Sequence, residues 1–267
     1  ISKIRITGGE PLVRKGVYHF LSQLTKMDGL QDISLTTNGV LLKDNINKIR
    51  SANIQRINIS LDTLNKTKFK HITGYDYFDQ IWEGIHLALK MGFYPIKINV
   101  VPLKGINDGE LLEIAKLSIE YPFHVRFIEY MPIGSNQIAS DRRLLASEIK
   151  ERINGLGTLI PVGRSFNDGP AERFKFGSAQ GEIGFIRPIS RHFCGTCNRL
   201  RLTASGQLRP CLMSDDQEDL KSLLRQGCSD ADIAEGFLKS VRHKPSEHKL
   251  NGNDHTRISA QMCAVGG

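Results

Sequence analysis

The sequence predicts an α/β chain: a (β/α) barrel or half-barrel, followed by a smaller C-terminal region of mixed α and β structure. Three observations lead there. Strand and helix signals alternate through the first ~130 residues, the pattern of a parallel sheet. The strands alternate polar and apolar side chains, whereas strands buried on both faces of a parallel sheet read as continuous Val/Ile/Leu runs. The alternation stops at Met131-Pro-Ile-Gly-Ser135, so a domain boundary is expected near residue 135, giving domains 1–135 and 136–267.

The first strand is expected at Lys3–Thr7, where Lys3, Arg5 and Thr7 oppose Ile4 and Ile6. A helix at Tyr18–Met27 and a strand at Ile33–Thr37 follow, with Ser34, Thr36 and Asn38 on one face. After a helix at Asn45–Ser51 comes the strand Arg56–Leu61, whose polar row is Asn58, Ser60 and Asp62. Gln80–Met91 is the clearest helix, with Ile81, Ile85 and Leu89 at helical spacing beside Trp82 and Gly92 at its end. The strand Ile96–Val101 sets Lys97 and Asn99 against Ile96, Ile98 and Val100, and a helix at Glu110–Ile119 leads into a strand at His124–Glu129. An exposed sheet face would explain the polar rows, but helices between parallel strands must cover one face. In a barrel or half-barrel the helices cover the apolar outside, and the polar faces line a basic chamber whose active end is the C-terminal strand end.

Beyond residue 135 a helix is expected at Ser147–Ile153, then a glycine-punctuated stretch to Gly184 with few apolar runs. Strand-like pieces follow at Ile183–Arg187, Arg199–Thr203 and Gln207–Arg209, the last two joined by Ala204-Ser-Gly206. Helices are expected at Gln217–Arg225 and Asp230–Arg242, before a polar, irregular tail ending in Gly266-Gly267.

At 267 residues, with 40% hydrophobic and 24% charged residues, the composition is that of an ordinary soluble domain pair. No apolar run approaches the ~20 residues that span a bilayer, and no secretory segment is recognisable. Five cysteines, including a C-x-x-C pair, fit a reducing, cytoplasmic setting better than a disulfide framework. The net charge of +8 favours an anionic partner. Aromatics are only 7% and no long Lys/Arg block is present, so a small phosphorylated ligand is expected, with neither nucleic acid nor membrane as partner. The chain opens at Ile1 directly into a strand, so an upstream segment is expected.

Cys194, Cys197 and Cys211 carry metal-ligand spacing, in Phe193-Cys-Gly-Thr-Cys-Asn-Arg-Leu-Arg201 and Arg209-Pro-Cys-Leu212; Cys228 and Cys263 stand alone. Three thiolates suit a cluster with one open metal position. Structural zinc is the alternative, since it accepts Cys3His sites and His192 is adjacent. Arg199 and Arg201, two residues apart, share one face of an extended strand. They form either a solvated strand face or a phosphate grip, for which guanidinium forks are suited. Thr7-Gly-Gly-Glu-Pro11 ends the first strand, and its glycines let the backbone approach a ligand closely. An ordinary strand-ending turn is the alternative.

Thr7-Gly-Gly-Glu-Pro11 resembles the motif by which radical S-adenosylmethionine (SAM) enzymes hold the amino group of SAM. Cys194-x2-Cys197-x13-Cys211 with Asn198-Arg-Leu-Arg201, and the terminal Gly266-Gly267, resemble the GTP 3′,8-cyclase family of molybdenum-cofactor biosynthesis. The resemblance runs from residue 1 to residue 267. It implies a partial (β/α) barrel of the radical SAM type plus a C-terminal α+β domain carrying a second [4Fe-4S] cluster on Cys194, Cys197 and Cys211. It also implies that the C-x3-C-x2-C loop of the SAM-reducing [4Fe-4S] cluster lies upstream. By motif matching, Arg5, Thr36, Lys97, Arg199, Leu200 and Arg201 correspond to GTP contacts, and Gly9, Ser60 and Met131 to SAM contacts. Gly266 and Gly267 correspond to a tail that enters the active site.

The implied reaction is that of a lyase: radical abstraction of the ribose C3′ hydrogen of GTP and bonding of C3′ to C8, giving 3′,8-cyclo-7,8-dihydro-GTP. SAM, an electron donor and a homodimer belong to the same expectation. Two other functions stay open, namely another radical SAM enzyme with an auxiliary cluster and a non-catalytic GTP-binding fragment.

Overall fold

The alternation of apolar and polar side chains builds five parallel strands whose apolar faces are covered by helices. In the computed structural model, which describes residues 1–134, 138–163, 168–248 and 258–266, the order is β1 (Lys3–Ile6), α1 (Val17–Leu24), β2 (Asp32–Thr37), α2 (Leu42–Ser51), β3 (Arg56–Ser60), α3 (Lys66–Thr73), α4 (Phe78–Lys90), β4 (Ile96–Val100), α5 (Leu111–Glu120) and β5 (Phe123–Ile128). Every strand expected in this region forms, within one residue at each end. The additional helix α3 buries only Phe69, so it shows no apolar stripe in the sequence. Local chemistry makes it: the Asn65 side chain accepts from the Lys68 N–H, and Gly74 closes the helix at φ 80°.

Leu35, Ile57, Ile59, Ile98, Val100, Val125 and Phe127 on the strands pack with Leu42, Ile49, Ile81, Ile85 and Ile114 on the helices in one apolar core. The opposite face carries the polar rows. Parallel register sets Thr36 beside Asn58, Asn58 beside Lys97 and Lys97 beside His124, so residues far apart in sequence form one transverse line.

The chain then returns to the same sheet. After α6 (Ala146–Ile153) come β6 (Leu159–Pro161), β7 (Glu172–Phe176) and β8 (Glu182–Ile186). β8 pairs in parallel with β5, and β7 and β6 add antiparallel strands, giving the order β1-β2-β3-β4-β5-β8-β7-β6. One compact unit therefore comprises residues 1–130 and 140–187, and the other 131–139 and 188–267. This differs from the boundary expected near residue 135. The main-chain bonds of β8 to β5 keep residues 140–187 in the first unit. β6 and β7 escaped notice because they are short and flanked by glycines. The alternation of Phe174 and Phe176 with Arg173 and Lys175 was nevertheless a legible strand signal.

The second unit contains a small antiparallel sheet, order β11-β10-β9, of β9 (Arg201–Leu202), β10 (Gln207–Arg209) and β11 (Glu218–Asp219). The helices α7 (Leu220–Arg225), α8 (Asp230–Arg242) and α9 (Met262–Val265) accompany it. α8 begins at a capping box in which Ser229 and Asp232 satisfy each other's backbone N–H groups. The strand expected over Arg199–Thr203 is only Arg201–Leu202, the two residues in ladder register with Arg209 and Leu208, while the Thr203 N–H still donates to the Gln207 carbonyl (2.9 Å). Most of the tail expected to be irregular, with Gly267, lies outside the described residues. Among the described residues, no helix is long and apolar enough to cross a membrane.

Gly181 precedes β8, and a Cβ there would stand 2.0 Å from the Phe123 carbonyl oxygen. Gly181→Ala is therefore expected to pry β8 from β5, costing at least about 1–3 kcal/mol. Thermal denaturation followed by far-UV circular dichroism should show Tm lower by several degrees; an unchanged Tm would refute the close approach.

Candidate active site

At the C-terminal end of β1 the chain turns through Gly8, whose φ of 139° a side chain would resist. Glu10 then fixes the loop. Its carboxylate accepts from the Leu12 N–H (3.0 Å), the Thr37 hydroxyl (2.8 Å) and the Asn38 N–H (2.7 Å), tying the ends of β1 and β2 together. Gly9 is exposed on this loop, and Ser60 is exposed at the end of β3 beside Asn99 of β4.

Below these strand ends, the polar face of the first unit is strongly basic. Lys3, Arg5, Lys97, His124 and Arg126 line one cavity, with Arg173, Asp168 and Glu182 at its other side. Arg126 is 5% exposed and donates to Asn58 Oδ1 (2.5 Å). Asn58 in turn donates to the Leu35 carbonyl (3.0 Å) and the Thr36 hydroxyl (3.2 Å), so its orientation is set by β2. Lys3 and Arg56 both pair with the buried Asp32.

Burial, reinforced by repulsion from Arg126, Arg56, Arg5 and Lys3, pushes Lys97 down to about 7. Burial, with Arg5 and Arg56, likewise pushes Arg126 down to about 9. Burial pushes His124 down to about 4 despite the Glu182 carboxylate 3.4 Å away, so the imidazole is neutral near pH 7. Arg173 grips Glu182 with two bonds of 2.7 Å and Asp168 with one of 2.6 Å. Burial alone would raise Glu182, but the bonds from Arg173 hold it below the usual carboxylate range. Among the described residues that line this cavity the cations outnumber the carboxylates, the condition under which a polyanion binds favourably.

Of the residues singled out in sequence, Arg5 and Lys97 meet in this cavity. Thr36 is buried and reaches it only through Asn58 and Arg126. Arg126 and His124 were missed, although they alternate with Val125 and Phe127 by the same period-two rule.

In the second unit, Cys194 and Cys197 bracket a tight turn in which the Cys197 N–H donates to the Cys194 carbonyl (3.0 Å). Cys211 follows β10, and the Met213 N–H points at its sulfur (3.4 Å). Burial pushes the Cys194 thiol up, the His248 backbone N–H opposes this, and Cys211 and Cys197 add to the rise. Burial also acts to raise Cys197, but the Arg199 guanidinium beside it prevails and brings that thiol below its ordinary range.

Arg199 lies 4.7 Å over the Phe193 ring and sits outside β9, so the shared strand face expected for Arg199 and Arg201 does not form. Arg201 donates to the carbonyls of Val265 (3.3 Å) and Gly266 (2.8 Å), joining the cysteine region to the tail. Met131 packs on the apolar cluster of Ile133, Met213 and Ile258.

The donor set fits an iron–sulfur cluster. Three half-buried thiols feel one another's charge, with Arg199 and Lys244 beside them. Among the described residues, no three His, Cys, Asp or Glu side chains could hold a single ion. His192 is turned edge-on to His248, at 5.3 Å.

A parallel sheet with a glycine loop at its first strand end, followed by a three-cysteine unit, defines the class. Residues 1–118 match the model of the radical SAM superfamily, and residues 123–250 match that of the molybdenum cofactor synthesis C domain. A curated GTP 3′,8-cyclase from Thermodesulfovibrio yellowstonii is 46% identical over 100% of this chain and 82% of its own length. Another from Moorella thermoacetica is 45% identical over 98% of this chain and 81% of its own length. The chain belongs to the GTP 3′,8-cyclase family. A solved radical SAM methyltransferase from Sphaerobacter thermophilus aligns over 59% of this chain and 49% of its own, at 16% identity and TM-score 0.48, too distant to add to that assignment.

With Lys97 near 7, the lysine is mostly neutral at pH 8, and a bound polyanion raises its pKa again. Binding of inorganic tripolyphosphate at pH 8 should therefore take up a proton, and uptake should shrink as pH falls below about 7. Calorimetry in two buffers of different ionisation enthalpy measures this. Lys97→Met should abolish most of the uptake, and equal uptake in that variant would refute the assignment.

Proposed function

We propose that this chain converts GTP to 3′,8-cyclo-7,8-dihydro-GTP, the first step of molybdenum-cofactor biosynthesis. The observation that carries this reading is the desolvated pair Lys97 and Arg126, with Arg5 lining the same cavity, on the inner sheet face of a chain of this family. The chemistry that SAM and a reducing [4Fe-4S] cluster supply when bound is radical abstraction of the ribose C3′ hydrogen, which leads to the C3′–C8 bond. The remaining work falls to the chain's own side chains.

In this reading Arg5 and Lys97 take substrate phosphate oxygens, and Thr36 holds Asn58 and thereby Arg126 in place. Lys97 gains its proton as the anion arrives, so full positive charge is present only with substrate bound. Arg199, Leu200 and Arg201 are further GTP contacts in this reading. The Gly9 loop, fixed by Glu10, and Ser60 receive SAM at the ends of β1 and β3, with Met131 as a further contact. Cys194, Cys197 and Cys211 would hold a second [4Fe-4S] cluster, which would supply a coordination position for the substrate. Gly266, held by Arg201, and Gly267, which lies outside the described residues, are the tail expected to enter the active site. The catalyst takes electrons from an external donor and acts as a homodimer in the cytoplasm.

Two measurements test this. Cys197→Ala, reconstituted anaerobically with iron and sulfide, should lose about four iron atoms per chain relative to the parent; unchanged iron would remove the cluster from these cysteines. Arg5→Met should weaken GTP binding by about 10- to 100-fold, the worth of a charge-assisted bond, with the loss shrinking at high salt. A GTP dissociation constant unaffected by that change would place the phosphates elsewhere.

A further inference from the structure

The three cysteines come from two separate segments, residues 194–197 and residue 211, and something must hold those segments at a fixed spacing. Direct main-chain pairing does little of this: β9 and β10 share only the register Arg201 with Arg209 and Leu202 with Leu208, past the cysteines on both strands. The spanning contact is made by Lys244. Its ammonium donates to the Arg199 carbonyl (2.7 Å) and to the Pro210 carbonyl (2.5 Å). Arg199 is two residues after Cys197, and Pro210 is immediately before Cys211. One side chain thus bonds both segments at their cysteine-bearing ends.

We propose that Lys244 is a positioning residue for the cysteine site, clipping the Cys197 and Cys211 segments together and placing one fixed positive charge beside the thiolates. The proposal rests on the reading of Cys194, Cys197 and Cys211 as cluster ligands.

The fold delivers this lysine in a defined way. α8 ends at Arg242, and the N–H groups of His243 and Lys244 cap it by donating to the carbonyls of Lys239 and Val241. A cation at a helix C-terminus is favoured by the helix dipole. Beyond it, His248 is 9% exposed; its Nε2 bonds the Pro188 carbonyl (2.7 Å), and its backbone N–H faces the Cys194 sulfur. The segment Lys244–His248 therefore bonds Arg199 and Pro210, next to Cys197 and Cys211, and reaches Cys194 through the His248 N–H. A charge-assisted bond to each of two carbonyls is stronger than a neutral one, and the flexible lysine stem is fixed at both contacts.

The charge has a second consequence. Reduction of a thiolate-ligated cluster adds a negative charge, which a nearby ammonium stabilises, so Lys244 raises the potential of that cluster. Lys244→Met keeps the stem and removes both the bonds and the charge, whereas Lys244→Arg keeps the charge and can restore the bonds.

The test is made on the full chain. In the metal-free protein, hydrogen exchange of the amides in residues 199–203 and 208–213 should become about tenfold faster in Lys244→Met, the worth of one lost charge-assisted bond, and return toward the parent in Lys244→Arg. In the reconstituted protein, the midpoint potential of the cluster lost in Cys197→Ala should move to more negative values in Lys244→Met and recover in Lys244→Arg. Exchange rates equal to the parent's in Lys244→Met would overturn the clip, and an unmoved potential would overturn the role of its charge. If Cys197→Ala loses no iron, the cluster reading fails by itself, and the exchange result still decides whether Lys244 holds the two segments.

Discussion

The bond from Arg126 to Asn58 is the point on which the first unit turns. An arginine that is almost wholly buried must find a hydrogen-bond partner, and here that partner is a neutral amide instead of a carboxylate. Among the described residues no carboxylate pairs with it, and it repels Lys97 nearby. Such an arrangement is unfavourable in the empty protein. It persists because the opposite face of the same strands is buried in a large apolar core, whose contribution far exceeds a few unfavourable ionisations. The cost is stored where an anionic ligand relieves it, which is how a site comes to prefer a triphosphate over water.

Acidic residues are present, but they are already engaged. Asp32 is shared by Lys3 and Arg56, and Glu182 is gripped by Arg173. Glu182 feels Lys97 as well as Arg173, but its hydrogen bonds go to Arg173. Stability tracks this in pH. The folded pKa of Lys97 lies below its unfolded value, so the unfolded chain binds more protons between about 7 and the ordinary lysine range. Its penalty on folding is greatest below about 7 and fades as the pH rises through that window.

The second unit relies on different forces. Its apolar cluster of Ile133, Met213 and Ile258 is small, and its sheet has three short strands. Order around the cysteines comes instead from polar ties to main-chain carbonyls. Arg209, 4% exposed, holds Ser214 and Asp215 after Cys211, Asp215 accepts from the Ser259 N–H, and Arg201 holds the carbonyls of Val265 and Gly266. Arginine and lysine donors fix loops without demanding a hydrophobic core.

Much of this was legible in the residues. Strand positions in the first 130 residues were readable because side-chain alternation is a local property, visible without any knowledge of neighbours. The polar faces, the glycine loop at Thr7–Pro11 and the cysteine spacing were equally local, and they singled out Arg5, Lys97, Cys194, Cys197 and Cys211 as candidates. What the residues could not reveal was pairing at long range. The return of 182–186 to β5 depends on a glycine allowing two backbones to approach, and the meeting of Asn58 with Arg126 depends on register across three strands. The same holds for Lys244, whose partners lie 45 and 34 residues away. The sequence by itself determined which side chains face inward and which motifs end the strands. Only the tertiary structure decided which of them lose water together, and desolvation by many neighbours at once is what makes a lysine titrate near 7.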